Sequence, residues 1–201
     1  FYPGYSNAGV VMEVGPDVTE IKPGDRVASR SNHRQYALCP TSRAIPIPNG
    51  VTDEEATWFG LAKIAQNGVR RAEHKLGDAV VIIGMGLLGQ LVTQYVRLLG
   101  ARQVIAIDLA QPRLEMARAH GATHILQMGA AEAFESVKQI TEGRLADVVY
   151  DVTGFAAVFA PALKLVRRFG TLLLLGDTGS PSEQRLTHDV IRYGLRIVGA
   201  H

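Results

Sequence analysis

The chain has 201 residues, 47% hydrophobic and 20% charged, which suits one large domain or two small ones with a full core and excludes a disordered or fibrous protein. Twenty-one basic against nineteen acidic residues leave a formal net charge of +2. No run of like charges is long enough for a nucleic-acid arm or a lipid-binding patch, so neither nucleic acid nor membrane is an expected partner.

The longest apolar stretch, Ala79 to Gly89, is broken by glycines and falls well short of the roughly 20 residues that span a bilayer. A single cysteine, Cys39, allows neither an intrachain disulfide nor a multi-cysteine zinc site; it fits a reducing compartment, and a cytoplasmic protein is the expectation. The chain opens on Phe1 and stops at "IVGAH", which reads as a piece of a longer product. No signal peptide is visible.

In chain order, "PGYSNAG" is a compact turn carrying a phenol, a hydroxyl and an amide. Up to about residue 50, "GVVMEVG", "GDRVAS", "HRQYALCP" and "SRAIPIP" read as short strands joined by tight turns. From "TDEEA" onward helices alternate with strands. Thr52 and Glu55 stand at the spacing of a capping box, so Asp53, Glu54 and Glu55 mark a helix start rather than paired catalytic carboxylates.

Six apolar runs follow, "AVVIIG", "QVIAID", "HILQM", "DVVYDV", "TLLLLG" and "LRIVGA", with helical stretches between most of them. Continuous apolar runs of this kind suit parallel strands buried on both faces. The segment from Leu87 to Leu99 predicts a helix with Leu88, Leu91, Val92, Tyr95 and Leu99 on one face and Gly100 as its stop. The fold class expected is α/β, an open doubly wound parallel sheet.

At the first strand-to-helix junction, "IIGMGLLGQ" places Gly84, Gly86 and Gly89 in G-x-G-x-x-G spacing. The first glycine permits the tight turn, the second lets a pyrophosphate approach the backbone, and the third lets helix and strand pack closely. The helix N-terminus, with Leu87 and Leu88, then offers free N–H groups to phosphates. Asp108 follows Gly89 by 19 residues at the end of the second strand, which completes a dinucleotide fingerprint. A carboxylate there accepts hydrogen bonds from both ribose hydroxyls of NAD but repels a 2′-phosphate. Two unit charges about 4 Å apart at an effective dielectric near 20 repel by roughly 4 kcal/mol, about three decades of affinity. NAD is therefore expected over NADP. Arg113, five residues on, is the one neighbour that would favour the phosphate.

"PGYSNAGVVMEVGPDVTEIKPGDRVAS", "GVRRAEHKLGDAVVIIGMGLLGQ" and "VIAIDLAQPRLEMARAHGATHIL" together resemble the medium-chain dehydrogenases and reductases, the zinc-type alcohol and polyol dehydrogenase superfamily. The resemblance covers nearly the whole chain. It implies part of a GroES-like β domain over residues 1–50, a connecting helical segment over 51–74 and an NAD-binding Rossmann domain over 75–201. "GYSNAG", "HRQYALCP" and "QNGVRRAEHKLG" look most like the bacteriochlorophyllide dehydrogenase-like branch.

The resemblance also shows departures. Where zinc-dependent members carry Gly-His-Glu, this chain has Gly4, Tyr5 and Ser6, and the third zinc position falls around Phe59 to Leu61, where "WFGLA" offers no ligand. A catalytic zinc uses three protein ligands and an open site, so no metal is expected; between "GDRVAS" and "YALCP" there is also no room for the lobe of four cysteines that holds the family's structural zinc. Tyr5, Ser6 and His33 are the candidate catalytic groups, since in the family this domain's cleft faces the nicotinamide and a hydroxyl or imidazole there can donate to substrate. The bland alternative is that Tyr5 packs and Ser6 caps the turn. His74, His120, His124 and His188 read as solvated histidines in loops or on polar helix faces, and Lys63 as an ordinary exposed lysine.

Carried over from the family, Arg113 contacts the adenosine ribose, and Asp151, Val152 and Thr153 line the adenine and ribose side. Leu175, Gly176 and Asp177, with Gly199, Ala200 and His201, offer backbone contacts to the nicotinamide carboxamide. The last strand pairs with its twin across a homodimer in many relatives. The expected function is an NAD-dependent oxidoreductase acting on a small alcohol, polyol or carbonyl compound without catalytic zinc. The alternatives are a non-catalytic dinucleotide-binding relative, or a zinc-free quinone or enone reductase, which would more naturally use NADPH.

Overall fold

The computed structural model describes residues 4–181 and 184–200. The chain divides into two compact units, residues 1–63 and 64–201.

The first unit is built on a three-stranded antiparallel sheet of β1 (Asn7–Val10), β2 (Arg26–Ser29) and β3 (Ala44–Pro46), in that order. Two sequence expectations need correction here. "GVVMEVG" is strand only to Val10; beyond it the chain is irregular, although Val11 still donates its N–H to the Asp25 carbonyl at 2.9 Å. "HRQYALCP" contains no strand at all, and Tyr36 and Leu38 are exposed. Alternation of β-formers sets propensity, but a strand needs a partner edge, and none pairs with this segment among the described residues. The capping box forms as the spacing predicts: Thr52 accepts the Glu55 N–H, and the Glu55 carboxylate accepts the Thr52 N–H at 2.8 Å, opening α1 (Asp53–Thr57). The helix α2 (Phe59–Arg71) then carries the chain into the second unit.

The second unit alternates strand and helix: β4 (Ala79–Ile83), α3 (Leu87–Leu98), β5 (Gln103–Asp108), α4 (Gln111–Ala119), β6 (His124–Gln127), α5 (Phe134–Ile140), β7 (Ala146–Asp151), α6 (Phe159–Leu165), β8 (Val166–Leu174) and β9 (Arg196–Gly199). All strands pair in parallel, in the order β6-β5-β4-β7-β8-β9. The six apolar runs of the sequence are these six strands.

β4 is apolar at every position, and β5 and β7 are apolar except for Gln103, Asp108, Asp147 and Asp151 at or near their ends, because these central strands have two buried faces. Val80, Ile82, Val104, Ala106, Val148 and Tyr150 point into a core shared with Val69, Val92, Val96 and Leu114. Val81, Ile83, Ile105, Ile107 and Val149 alternate with them into a second core against Val137, Ala162 and Leu165. The sheet is thus doubly wound, a Rossmann arrangement, and the chain reverses its direction of travel between β4 and β7. The face of α3 is rotated from the sequence expectation. Its buried residues are Gly89, Gln90, Val92, Thr93 and Val96, whereas Leu88, Leu91 and Tyr95 pack at the margin and Leu99 is half exposed. The small Gly89 and the self-satisfied Thr93, whose hydroxyl donates to the Gly89 carbonyl at 2.8 Å, let the helix sit closer to the sheet than leucines would. Gly100 ends the helix with φ +86°.

Candidate functional site

Open α/β sheets bind ligands outside the carboxyl ends of their strands, where the winding reverses. Ile83 pairs with Asp151, Asp151 with Leu174 and Leu174 with Gly199, so the ends of β4, β7, β8 and β9 lie in register. The segments leaving those ends carry Gly84 and Gly86, then Val152 and Thr153, then Leu175, Gly176 and Asp177, then Ala200. The structure therefore gathers most of the expected dinucleotide contacts at the carboxyl ends of the strands. Val152 is tied to β4 by its N–H on the Ile83 carbonyl at 3.1 Å, and Ala200 to β8 by its N–H on the Leu174 carbonyl at 3.0 Å. His201 lies outside the described residues.

The three glycines serve different physical needs. Gly84 has φ +99°, a conformation that disfavours a side chain, and a Cβ on it would stand 3.0 Å from Thr153 Cγ2. A Cβ on Gly89 would stand 2.0 Å from the Gly84 carbonyl oxygen, which is backbone and cannot yield. Gly86 differs: its φ is −76°, and a Cβ there meets nothing within 4 Å. Its lack of a side chain leaves open space beside the N-terminus of α3, for which Gly86 is the N-cap without any side-chain cap. A close backbone surface, free N–H groups and the positive end of a helix dipole suit a pyrophosphate. The residues present fit a dinucleotide.

Asp108, at the end of β5, is nearly buried, with 9% of its side chain exposed. Its Oδ2 accepts the Met85 N–H at 2.6 Å and its Oδ1 the Ala110 N–H at 2.8 Å. The carboxylate is thus fixed against the glycine turn itself, with one acceptor site left on each oxygen. Arg113 Nη1 lies 3.9 Å from Oδ2 with its side chain mostly exposed, close enough to lessen the negative field but not to occupy the carboxylate. A residue outside the expected set, Gln90, ties the region together. Its amide donates to the Met85 carbonyl at 3.2 Å and to the Arg113 carbonyl at 2.9 Å, while its oxygen accepts from His120 Nδ1 at 2.9 Å. The sequence signal was available: a polar residue at a position facing the core, immediately after the third glycine.

In the first unit, Tyr5, Ser6 and His33 come together around the opening turn. Gly4, at φ +66°, is covered by the His33 imidazole, whose Nε2 would be 2.1 Å from a Cβ there. Ser6 donates its hydroxyl to the Thr57 carbonyl at 2.5 Å, and Ser6 Oγ and Tyr5 Cε2 both approach Gly60, at 3.5 and 3.9 Å from where its Cβ would be. The Tyr5 ring lies under the Arg30 guanidinium at 5.7 Å, is 46% exposed, and its hydroxyl has no hydrogen-bond partner among the described residues. Asn7 supplies the scaffold: its amide donates to Ser31 Oγ at 2.6 Å and to the Asn32 carbonyl at 3.1 Å, and it accepts from Ser29 at 3.1 Å. Among the described residues, no three His, Cys, Asp or Glu side chains converge as a metal site would require. The phenol, hydroxyl and amide of this turn are not a zinc donor set.

The other histidines divide. His124 and His188 are exposed, as expected. His74 is not solvated: only 4% of its side chain is exposed, its Nδ1 faces Asp78 Oδ2 at 3.3 Å and its Nε2 faces the buried Tyr150 hydroxyl at 2.6 Å. Because a carboxylate only accepts, Nδ1 carries the proton and Nε2 accepts from the phenol. Burial lowers His74 below the usual histidine range, against the opposing pull of Asp78, and burial raises Tyr150 above the usual phenol range.

Residues 88–201 match the protein family described as "Zinc-binding dehydrogenase". The chain is 30% identical over 207 residues to the sorbitol dehydrogenase of Bacillus subtilis (strain 168), covering 88% of this chain and 59% of that protein. It is 30% identical over 175 residues to the D-guloside 3-dehydrogenase of Escherichia coli (strain K12), covering 86% of this chain and 50% of that one. A solved structure of a putative zinc-binding dehydrogenase from Sinorhizobium meliloti 1021, bound to NADP, superposes with a TM-score of 0.85 at 26% identity, covering 96% of this chain and 66% of that chain. The chain thus spans between half and three fifths of the length of these curated relatives.

Proposed function

Because the chain belongs to the zinc-binding dehydrogenase family, a dinucleotide-binding family within the medium-chain dehydrogenases and reductases, we propose that it is an NAD-dependent oxidoreductase acting on a small alcohol, polyol or carbonyl compound, without a catalytic zinc. The observation that carries the cofactor choice is the Asp108 carboxylate, held by two backbone N–H groups beside the glycine turn. It has acceptor sites left for ribose hydroxyls, and its fixed charge opposes a 2′-phosphate. When bound, the nicotinamide supplies or accepts the hydride. The chain's part is to orient the dinucleotide on Gly84, Gly86 and the N-terminus of α3, and to hold Asp108 in place.

The loss of zinc ligands leaves the polarising of a substrate oxygen to other groups. Tyr5 is the best placed of the three candidates, because its hydroxyl is uncommitted while the Ser6 proton is spent on the Thr57 carbonyl. His33 packs over Gly4 and serves to support the turn. Residues 1–50 belong to part of a GroES-like β domain on this reading, and residues 75–201 to the Rossmann domain.

The test is a fluorescence titration of the full-length protein with NADH and with NADPH. NADH is expected to bind at least tenfold more tightly, and Asp108→Ala to shrink that ratio; equal affinities, or tighter NADPH, would overturn the assignment. Metal analysis of the same sample is expected to find no stoichiometric zinc. The engagement of Ser6 also favours a second reading, a dinucleotide-binding relative without turnover. Hydride transfer that is lost on Tyr5→Phe, by about 100-fold, separates the enzyme from that alternative.

A further inference from the structure

Asp151, the last residue of β7, is wholly buried and stands where β4 and β7 part. Its backbone carbonyl accepts the N–H groups of Leu175 at 3.0 Å and Gly176 at 3.1 Å, which joins the loop after β8 to the end of β7. Its side chain is used on one oxygen only. Oδ1 accepts the Thr153 N–H at 3.0 Å and the Thr153 hydroxyl at 2.7 Å, whereas Oδ2 has no hydrogen-bond partner. A buried polar atom left unpaired carries a cost. Bonds to a carboxylate are also stronger than bonds between neutral groups. The Asp151 side chain therefore does one thing, at the expense of an unpartnered oxygen: it locks Thr153.

The position that Thr153 is locked into matters for the glycine turn. Its hydroxyl, having given its proton to Asp151, accepts the Phe155 N–H at 3.2 Å, so its side-chain torsion is fixed from both sides. In that orientation its methyl group lies against Gly84, 3.0 Å from where a Cβ would be, with Val152 Cγ2 at 3.3 Å. Behind it the loop cannot retreat. A Cβ on Gly176 would be 2.6 Å from Gly154 N, 2.9 Å from the Val152 carbonyl carbon and 3.1 Å from Thr153 N, so backbone faces backbone.

We propose that Asp151 is a positioning residue of the dinucleotide site, acting through Thr153 to hold the Gly84 turn in the shape that receives the pyrophosphate. This rests on the dinucleotide reading above, and it replaces the lining role expected of Asp151 from the family resemblance: the side chain is wholly buried, so it acts through Thr153 and not by a cofactor contact of its own. The turn at Gly84 is the pyrophosphate end of the site, and Asp108, at the adenosine end, keeps its own holds on the Met85 and Ala110 N–H groups, so the effect falls mainly on ligands that carry the pyrophosphate.

The experiment measures binding of NADH, ADP-ribose and AMP to the full-length protein and to the variants Asp151→Asn, Asp151→Ala, Thr153→Val and Thr153→Ser. Asp151→Ala and Thr153→Val are expected to weaken NADH and ADP-ribose five- to tenfold and AMP by less than twofold. Asp151→Asn, which keeps an acceptor for Thr153, and Thr153→Ser, which keeps the hydroxyl, stay within about threefold of the parent. The double variant Asp151→Ala/Thr153→Val binds no worse than Asp151→Ala, because both changes remove one linkage. Additive losses, equal weakening of AMP, or an unaffected Thr153→Val would overturn the inference. Thr153→Val keeps the test open if Asp151→Ala fails to fold. Failure of the parent protein to bind NADH or NADPH would instead overturn the reading on which the inference rests.

Discussion

A histidine with an imidazole in contact with a phenol and a carboxylate behaves differently from one in water, and His74 shows how. Its neighbours are Tyr150, Asp78 and, at longer range, Asp147, and burial outweighs the pull of the two carboxylates, so the folded protein resists protonating it. Above the ordinary histidine value of about 6.5, both folded and unfolded states hold it neutral and its contribution to stability is complete. As the pH falls below that value the unfolded chain takes up a proton first, and stability is lost until the folded-state value is passed. The loss is up to about 1.4 kcal/mol per pH unit within that window, or about 2–4 °C in melting temperature per kcal/mol for a chain of this length. Thermal melts from pH 7.5 to 5 are expected to show this decline, and His74→Asn to flatten it after allowance for its lower starting stability. A parallel decline in the variant would assign the effect to other groups. The sequence offered a histidine in a loop; what removed it from water is Tyr150, 76 residues away.

The turn between β4 and α3 separates two uses of glycine that a motif treats as equivalent. Gly89→Ala puts a methyl group 2.0 Å from a backbone oxygen, so helix and strand must separate; a loss of about 1–3 kcal/mol of stability is expected, together with loss of NADH binding. Gly86→Ala, at an ordinary φ and with open space around it, is expected to melt within about 1 °C of the parent, on the order of a few tenths of a kcal/mol, and still to weaken NADH at least tenfold. Melting temperature and NADH affinity measured on both variants decide whether the open space is ligand space. If Gly86→Ala binds normally, it is not. The motif spacing was legible because glycines, strand and helix are contiguous. The rotation of α3 was not, because Leu88, Leu91 and Leu99 are apolar enough for either face, and the choice fell to how closely Gly89 and Thr93 allow the helix to approach the sheet.

At the scale of the whole molecule, the sheet of the second unit ends in β9, which pairs only with β8 among the described strands and leaves Ile197 39% exposed. An open edge of this kind invites pairing with a second copy, and a homodimer through β9 is proposed on that ground. Light scattering of the full-length protein is expected to give the mass of a dimer, and Ile197→Lys to shift it toward the monomer at micromolar concentration. A monomeric parent, or a dimer indifferent to Ile197→Lys, would remove the proposal. No helix among the described residues is long and apolar enough to cross a membrane.

The sequence alone determined the parallel sheet, the placing of the glycine turn and the position of Asp108. Each of these rests on residues close in the chain, where spacing and apolar continuity translate directly into geometry. Only the tertiary structure decided that "HRQYALCP" is not a strand, that His74 is buried, that Gln90 joins the glycine turn to α4 and that Asp151 spends one oxygen on Thr153. Those outcomes depend on which distant surfaces meet and how closely, and local pattern carries no information about a partner that lies elsewhere in the chain.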